Sequence, residues 1–241
     1  ASDTESAIGA RLDAALGGLD ERLERRVSGE PLQYIEGAAY FMGLKFAVDS
    51  RVLIPRQDTE TLCEQALTFL RGYTGAEVLD LCTGSGAIAI SVARLQPGLR
   101  VTATAMSSDA LSVASENAHL NGVYVRFMQG DLFEPVAGER FDAILCNPPY
   151  LTADDMVHLQ TEVACEPRMA LFGGEDGLMF YRRLAHEVYR HLKPGGYALF
   201  EVGDGQAAEV LRLMSENAMC AASGTVKDLP GVERVVWIRS R

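Results

Sequence analysis

The feature that most limits how this chain can fold is its alternation of short apolar segments with helix-like segments. Apolar segments typical of buried strands lie at residues 77–81, 100–105, 123–128, 141–146 and 197–202, and helix-like segments lie at residues 87–95, 109–120, 177–192 and 205–216. Strands joined by helices form a mostly parallel sheet, because right-handed crossovers return the chain to it in the same direction. The sequence therefore predicts an α/β, Rossmann-like fold with a doubly wound sheet.

The remaining segments are predicted to flank this sheet. Residues 225–226 and 232–238 indicate a closing antiparallel pair, and the spacing of apolar residues over 4–27 predicts a helix. Residues 39–41 and 45–48 predict a β-hairpin, with a further strand at 51–54 and then a helix capped by Asp58 or Thr59. We therefore divide the chain into a short helical N-terminal segment (1–29), a β-hairpin linker (30–55) and a main domain (56–241).

One predicted strand ends abruptly within residues 141–150, FDAILCNPPY. Proline has no N–H for a sheet ladder and imposes extended geometry on its predecessor, so the strand stops at Asn147, before Pro148 and Pro149. Open α/β sheets bind ligands at the carboxyl ends of their strands. Asn147, neighbouring backbone carbonyls and the Tyr150 ring are suited to hold a planar –NH2 group. A proline turn with Asn147 as turn former is the alternative.

A second candidate site is the glycine-rich turn after the strand at residues 77–81. Glycines let the backbone approach a ligand closely, and the following small-residue helix presents free N–H groups at its start. The turn consists of Cys82, Thr83, Gly84, Ser85 and Gly86. The pattern G-x-G-x-x-A is also typical of dinucleotide sites, and a tight strand–helix corner without a ligand remains a further alternative.

Composition narrows the class of protein. The 241 residues carry a formal charge of −11, which disfavours binding to a phosphate backbone. The five cysteines include no C-x-x-C pair and the four histidines show no metal-ligand spacing, so we expect free thiols and no metal. With no long apolar run and no secretory leader in the sequence, we expect a cytoplasmic protein that does not associate with membranes.

Several motifs then match one known family. They are EPLQYIEG at 30–37, F-x-G-L-x-F at 41–46, VLIPRQDTE at 52–60, DLCTGSGAIAI at 80–90, GDLF at 130–133, NPPY at 147–150, EPRMAL-x-GG-x-DGL at 166–178 and DLPGVER at 228–234. With them the chain resembles the HemK family, which methylates a glutamine side-chain amide in peptide chain release factors. The resemblance implies a class I methyltransferase with a seven-stranded sheet, S-adenosylmethionine as cofactor and a release factor as protein substrate.

The resemblance also implies roles for individual residues. Asn147 is the catalytic residue, which holds the glutamine amide together with the Pro148 carbonyl, while Pro149 and Tyr150 complete the substrate site and Tyr150 packs against the amide plane. The implied cofactor-binding residues are Asp80, Cys82, Thr83, Gly84, Ser85, Gly86, Ala105, Met106, Asp131, Leu132 and Asn147.

Two departures from the family pattern bear on function. Family members carry an acidic residue for the ribose hydroxyls at the end of the second strand, where this chain has Ala105, and a larger helical domain before the position of Gln33. Cys82 and the Asp155–Met156 pair resemble sister enzymes that methylate a ribosomal protein, whereas IPRQDTE is closer to the release-factor branch. The alternatives are therefore a ribosomal-protein glutamine methyltransferase, a nucleic-acid amine methyltransferase and a weakly active substrate-binding homologue.

Overall fold

The computed structural model describes residues 17–241 of the chain. The predicted helix at residues 4–27 is helical over its described part, 17–27 (α1), and residues 1–16 lie outside the described range. A short helix, Leu32–Glu36 (α2), and an antiparallel hairpin of Ala38–Phe41 (β1) and Leu44–Ala47 (β2) follow. None of the helices in residues 17–241 is long and apolar enough to cross a bilayer.

A seven-stranded sheet forms the centre of the molecule. Its strands are Glu77–Leu81 (β3), Arg100–Ala105 (β4), Arg126–Gln129 (β5), Phe141–Cys146 (β6), Leu192–Glu201 (β7), Cys220–Lys227 (β8) and Glu233–Ser240 (β9). The strand order is β5-β4-β3-β6-β7-β9-β8, and β9 alone runs in the direction opposite to the other six strands. The predicted doubly wound sheet and its closing antiparallel pair are confirmed.

Helices cover both faces of the sheet. They are Glu60–Phe69 (α3), Ala87–Leu95 (α4), Ser108–Leu120 (α5), Met179–His191 (α6) and Ala207–Ser215 (α7). One apolar core joins α3, α4 and α5 to the sheet and includes the hairpin residues Phe41 and Phe46, both almost fully buried. The other core joins α6 and α7 to the opposite face. The hairpin therefore shares the core of the main sheet.

Three predictions of local structure are wrong in detail. Residues 51–54 form no strand, because the N–H of Ile54 donates to the Glu166 carboxylate instead of a ladder. β5 begins at Arg126 rather than at residue 123. β7 begins at Leu192 rather than at residue 197, because Leu192 pairs with Phe141 and a bulge absorbs the Lys-Pro-Gly-Gly turn before pairing resumes.

The strand register places three predicted site residues side by side. Leu81 on β3 is aligned with Cys146 on β6 and with Thr104 on β4. The next residues along the chain are Cys82, Asn147 and Ala105, which therefore meet at the carboxyl edge of the sheet. The strand order reverses between β3 and β6, and this switch point is where doubly wound folds bind ligands.

Candidate active site

A cleft of about 1000 Å³, counting its open mouth, lies at this switch point. The predicted site residues that line it are Cys82, Thr83, Gly84, Ala105, Met106, Asp131, Leu132, Asn147 and Pro149. The structure thus brings the first three residues of the glycine-rich turn together with Asn147 and Pro149 in one cleft.

The glycine-rich turn is held from below by Asp80. This carboxylate is fully buried, and its Oδ2 accepts hydrogen bonds from Thr83 Oγ1 at 2.5 Å and from the N–H of Ala89 at 3.2 Å. Burial raises the pKa of Asp80 to about 7, while the bond from Thr83 acts to lower it. Cys82 adopts a positive φ of 58°, which is strained for a non-glycine residue. Asp80 therefore supports the cleft wall without lining it.

Ser85 and Gly86 also lie behind the cleft surface. The Ser85 carbonyl accepts a hydrogen bond from Asn117 Nδ2 on α5 at 2.9 Å. A Cβ on Gly86 would lie 2.7 Å from Ile90 Cδ1 and 3.1 Å from Ala114 Cβ, also on α5. These two residues hold α4 close to α5. Gly84, by contrast, lines the cleft, where an added Cβ would meet nothing closer than 4.0 Å.

The end of β4 presents no carboxylate to the cleft. Ala105 is 7% exposed and lines the cleft, and Met106 beside it is 51% exposed. Ser107 is occupied as the N-cap of α5, because its side chain accepts a hydrogen bond from the N–H of Ala110. Asp109 is exposed and does not line the cleft. The departure from the family pattern at Ala105 is therefore not compensated by a neighbouring acid on this element.

The opposite side of the cleft carries one acidic residue. Among the described residues that line the cleft, Asp131 is the only acidic one. Its Oδ2 pairs with Arg183 Nη2 at 2.6 Å. The neighbouring Leu132 has a positive φ of 46°, and its carbonyl accepts a hydrogen bond from Thr104 Oγ1. These contacts fix the loop after β5 beside the end of β4.

Asn147 has one half of its amide engaged and the other half free. Its Nδ2 donates to Thr59 Oγ1 at 3.2 Å, across the start of α3. Its Oδ1 and the Pro148 carbonyl accept no hydrogen bond from the described part of the chain. Thr59 precedes α3 as predicted, but its side chain does not cap that helix. Two unused acceptors are thus available at the end of β6.

A glycine-rich loop clamps the Asn-Pro-Pro-Tyr segment from outside. Leu151 and the loop exchange two backbone hydrogen bonds, from Leu151 N–H to the Leu171 carbonyl and from Gly173 N–H to the Leu151 carbonyl. A Cβ on Gly173 would lie 2.7 Å from the Pro149 oxygen and from Tyr150 Cα. A side chain at this position would therefore displace the segment that carries Asn147.

A second cavity meets the cleft at Asn147. Both spaces are lined by Leu53, Asn147 and Ala170, and the second is also lined by Tyr150, Leu151, Leu171, Arg56 and Glu201. Tyr150 therefore faces this second cavity rather than the cleft, and its hydroxyl lies 3.5 Å from Glu201 Oε1. Asn147 thus stands between a large cleft and a cavity with largely apolar walls.

The sequence-based prediction missed several site residues. Phe41, Val52 and Pro55, from the hairpin and the segment after it, form one wall of the cleft. Thr59 contacts Asn147 and Glu201 contacts Tyr150, whereas the sequence predicts for Thr59 only a helix cap and for Glu201 no role. A glutamate that ends a buried strand next to β6 is a recognisable pattern in the sequence, since Glu201 follows Ala-Leu-Phe and precedes Val-Gly. No cluster of metal-ligating side chains occurs within residues 17–241.

Comparisons with known proteins agree with this geometry. The family model "Methyltransferase small domain" matches residues 59–175. The release factor glutamine methyltransferase of Geobacter sulfurreducens is 45% identical over 213 residues, which cover 88% of this chain and 74% of that protein. The enzyme of the same name from Gloeobacter violaceus is 42% identical over 87% of this chain and 76% of its own length.

Solved structures show the same fold at low identity. A methyltransferase from Pyrococcus furiosus has a TM-score of 0.59 and 21% identity, with 91% of this chain and 98% of that chain covered. A 16S rRNA methyltransferase from T. thermophilus in complex with AdoMet and guanosine has a TM-score of 0.61 and 20% identity, with 85% and 50% covered.

The seven-stranded sheet and the cleft at its switch point define a class I methyltransferase fold. The sequence identity over most of the chain specifies the family more closely. This chain belongs to the family of release factor glutamine methyltransferases, and the resemblance based on its motifs is confirmed.

Proposed function

We propose that this protein transfers a methyl group from S-adenosylmethionine to the side-chain amide nitrogen of a glutamine in a peptide chain release factor. The observation that carries the proposal is the position of Asn147. It lies where the cleft meets a second cavity, with its Oδ1 and the adjacent Pro148 carbonyl unused by other groups. A primary amide has two N–H hydrogens, which these two acceptors match.

The cleft suits the proposed cofactor. The turn from Cys82 to Gly84 would hold its methionine end, because the N–H groups of Ala87 and Ile88 at the start of α4 donate to no described group and Gly84 leaves the wall open. Met106 and Leu132 would pack against the adenine, and Asp131 would border it. When bound, S-adenosylmethionine supplies an electrophilic methyl group on a sulfonium.

The residues of the chain act on the substrate by positioning it. An amide nitrogen is a poor nucleophile, since its lone pair is delocalised into the carbonyl. Asn147 Oδ1 and the Pro148 carbonyl would each accept one N–H of the substrate amide, which orients its nitrogen toward the cleft. Correct alignment can lower the activation barrier by several of the ~7–11 kcal/mol that proximity offers. The same acceptors stabilise the positive charge that grows on nitrogen. The methylated amide is acidic enough to lose its proton to water.

The second cavity suits a protein side chain better than a nucleotide with its phosphate backbone. Its walls include Leu53, Leu151 and Leu171, which would contact the aliphatic part of a glutamine. The charge of −11 disfavours nucleic-acid binding. We infer that residues 56–241 form the catalytic domain, with the hairpin of residues 30–55 as one wall of its cleft. A release factor as substrate implies a cytoplasmic location.

The test is methyl transfer to purified release factors and ribosomal proteins from isotopically labelled S-adenosylmethionine, followed by mass spectrometry of the modified peptides. We expect one methyl group on a glutamine of a release factor. Asn147→Ala should lower kcat by about 100-fold or more with little change in cofactor affinity, because it removes an acceptor used mainly as charge develops.

Asn217→Ala is the matched control, since Asn217 caps a turn and lines neither cavity. It should retain wild-type turnover. Equal turnover by Asn147→Ala and the wild type would remove Asn147 from the mechanism. Transfer to duplex DNA or structured RNA, with no transfer to protein, would overturn the proposed function.

A further inference from the structure

The Glu201 carboxylate is buried without a cation of its own. It lies at the end of β7, is 1% exposed, and its Oε2 has no hydrogen-bond partner among the described residues. The Arg234 guanidinium, which acts to lower the pKa of Glu201, already pairs with Asp58 at 3.3 Å and with Asp228 at 3.2 Å. A buried carboxylate that lacks a counter-ion is costly, so its presence beside the amide site requires an explanation.

Thr59 contacts Asn147 and lies near Glu201. Its Oγ1 accepts the hydrogen bond from Asn147 Nδ2 at 3.2 Å, and its own hydroxyl hydrogen is donated to no described group. The nearby hydroxyl acts to lower the pKa of Glu201, against the effect of burial. Thr59 is 5% exposed, so water does not compete for its hydroxyl. A threonine hydroxyl has one hydrogen to donate and can accept in addition.

We propose that Glu201 and Thr59 are positioning residues that fix the orientation of the Asn147 side-chain amide. This inference rests on the proposed function. An ionised carboxylate can only accept hydrogen bonds, so the unpartnered Glu201 Oε2 is placed to accept the unused hydrogen of the Thr59 hydroxyl. The Thr59 oxygen then faces Asn147 as an acceptor and binds its –NH2. Asn147 Oδ1 consequently faces the substrate.

The orientation matters because the reversed amide would oppose the reaction. If Thr59 donated to Asn147 Oδ1, the Asn147 –NH2 would face the substrate –NH2, and two donors would meet with no acceptor between them. The substrate amide would lose one of its two acceptors and would meet positive rather than negative partial charge as its nitrogen becomes cationic. An ionised Glu201 excludes this arrangement.

The state of Glu201 also links the arrangement to pH. Burial raises the pKa of Glu201 to about 7, opposed by Thr59, Arg234 and Tyr150. A protonated Glu201 could donate to Thr59 and release the Thr59 hydrogen toward Asn147. The titratable groups around Glu201 are Arg234, Asp58, Tyr150, Tyr181, Cys63 and Cys146. We therefore expect kcat of the wild type to rise as pH increases through the ionisation of Glu201.

The test compares Thr59→Val, Thr59→Ser, Glu201→Gln and the double variant Thr59→Val/Glu201→Gln in the release-factor assay. Thr59→Val and Glu201→Gln should each lower kcat at least tenfold, with little change in the Kd for S-adenosylmethionine, and Thr59→Ser should restore most of the activity. Because the two residues act in series, the double variant should be no slower than the slower single variant. Thr102→Val, a buried threonine outside both cavities, is the control for hydroxyl removal.

A pH profile separates positioning from a structural role. The wild-type rise in kcat from about pH 6 to about pH 8 should disappear in Glu201→Gln. Three outcomes would overturn the inference while leaving the proposed function intact. They are wild-type activity in Thr59→Val, a double variant whose loss of kcat is the product of the two single losses, and an unchanged pH profile in Glu201→Gln. A wild type that methylates no release factor would overturn both. Thermal denaturation of each variant identifies loss of folding, in which case Thr59→Ser and the pH profile decide.

Discussion

The absence of a carboxylate at the end of β4 leads to a prediction opposite to the usual effect of mutating a binding site: Ala105→Asp should strengthen cofactor binding. Ala105 is the last residue of β4 and lines the cleft, and Ser107, two residues further on, is already occupied as a helix cap. The position is therefore open to the cleft and has no competing polar partner. An aspartate there would present two acceptor oxygens to the ribose hydroxyls of S-adenosylmethionine.

The expected size follows from two opposing effects. Hydrogen bonds to a charged group contribute about 1.5–3 kcal/mol each, and two are available. The opposing effect is the free-energy cost of burying a carboxylate at a position that is only 7% exposed. This cost destabilises the free protein as well as the complex, so only part of it weakens binding. Since ~1.4 kcal/mol corresponds to a factor of ten, we expect binding to tighten at least about tenfold. The free variant should melt at a lower temperature than the wild type and gain more from added cofactor.

Calorimetric titration with S-adenosylmethionine and with S-adenosylhomocysteine measures the effect. Ala105→Asn keeps the shape without the charge and should gain less, and Ser108→Asp adds a charge at an exposed neighbour that does not line the cleft and should gain nothing. Equal binding by Ala105→Asp and the wild type would refute the reasoning and show that another group holds the ribose. If neither protein binds, a substrate-binding homologue becomes the better description.

Two further predictions concern the supports of the site. Gly173→Ala should lower kcat sharply and cost about 1–3 kcal/mol of stability, because its Cβ would lie 2.7 Å from the backbone that carries Asn147. Gly18→Ala is the control, since Gly18 is helical and an added Cβ there would have no described atom within 4 Å. It should be neutral or stabilising in the same denaturation and turnover assays. Burial raises the pKa of Asp80 to about 7 in the folded protein, so between about pH 4 and about pH 7 the carboxyl is ionised in the unfolded chain but protonated in the folded one. The free energy of unfolding should therefore fall as pH rises through this range. Asp80→Asn should reduce this decline in urea titrations, and an unchanged decline would contradict the buried state of Asp80.

Much of the fold and of the cleft was predictable from sequence because both depend on local patterns. Apolar segments of five or six residues gave β3, β4 and β6 their bounds, and the rule that parallel strands meet at their carboxyl ends brought Cys82, Ala105 and Asn147 together. Prediction was poorer where distant contacts decide. Residues 51–54 have the composition of a strand, but the buried Glu166 carboxylate takes the N–H of Ile54.

Thr59 and Glu201 illustrate the same limit at the site itself. Each was compatible with an ordinary local role, Thr59 as a helix cap and Glu201 as the polar end of a strand. Only the packing of α3 against the ends of β6 and β7 places them beside Asn147. A sequence separation of 88 residues between Thr59 and Asn147 carries no periodic pattern that would reveal the contact.

The arginines near the two cavities add a last argument about charge. Arg51 pairs with Asp49, and Arg56 pairs with the buried Glu166. Arg183 and Arg234 are likewise neutralised, by Asp131 and by Asp58 with Asp228. Glu201, in contrast, keeps a negative charge without a cation when it is ionised. The field at Asn147 is therefore set by acceptors and one carboxylate, which disfavours an anionic substrate group and favours a nitrogen that becomes positive during transfer. A glutamine amide, which donates two N–H groups and gains positive charge on its nitrogen, fits this field.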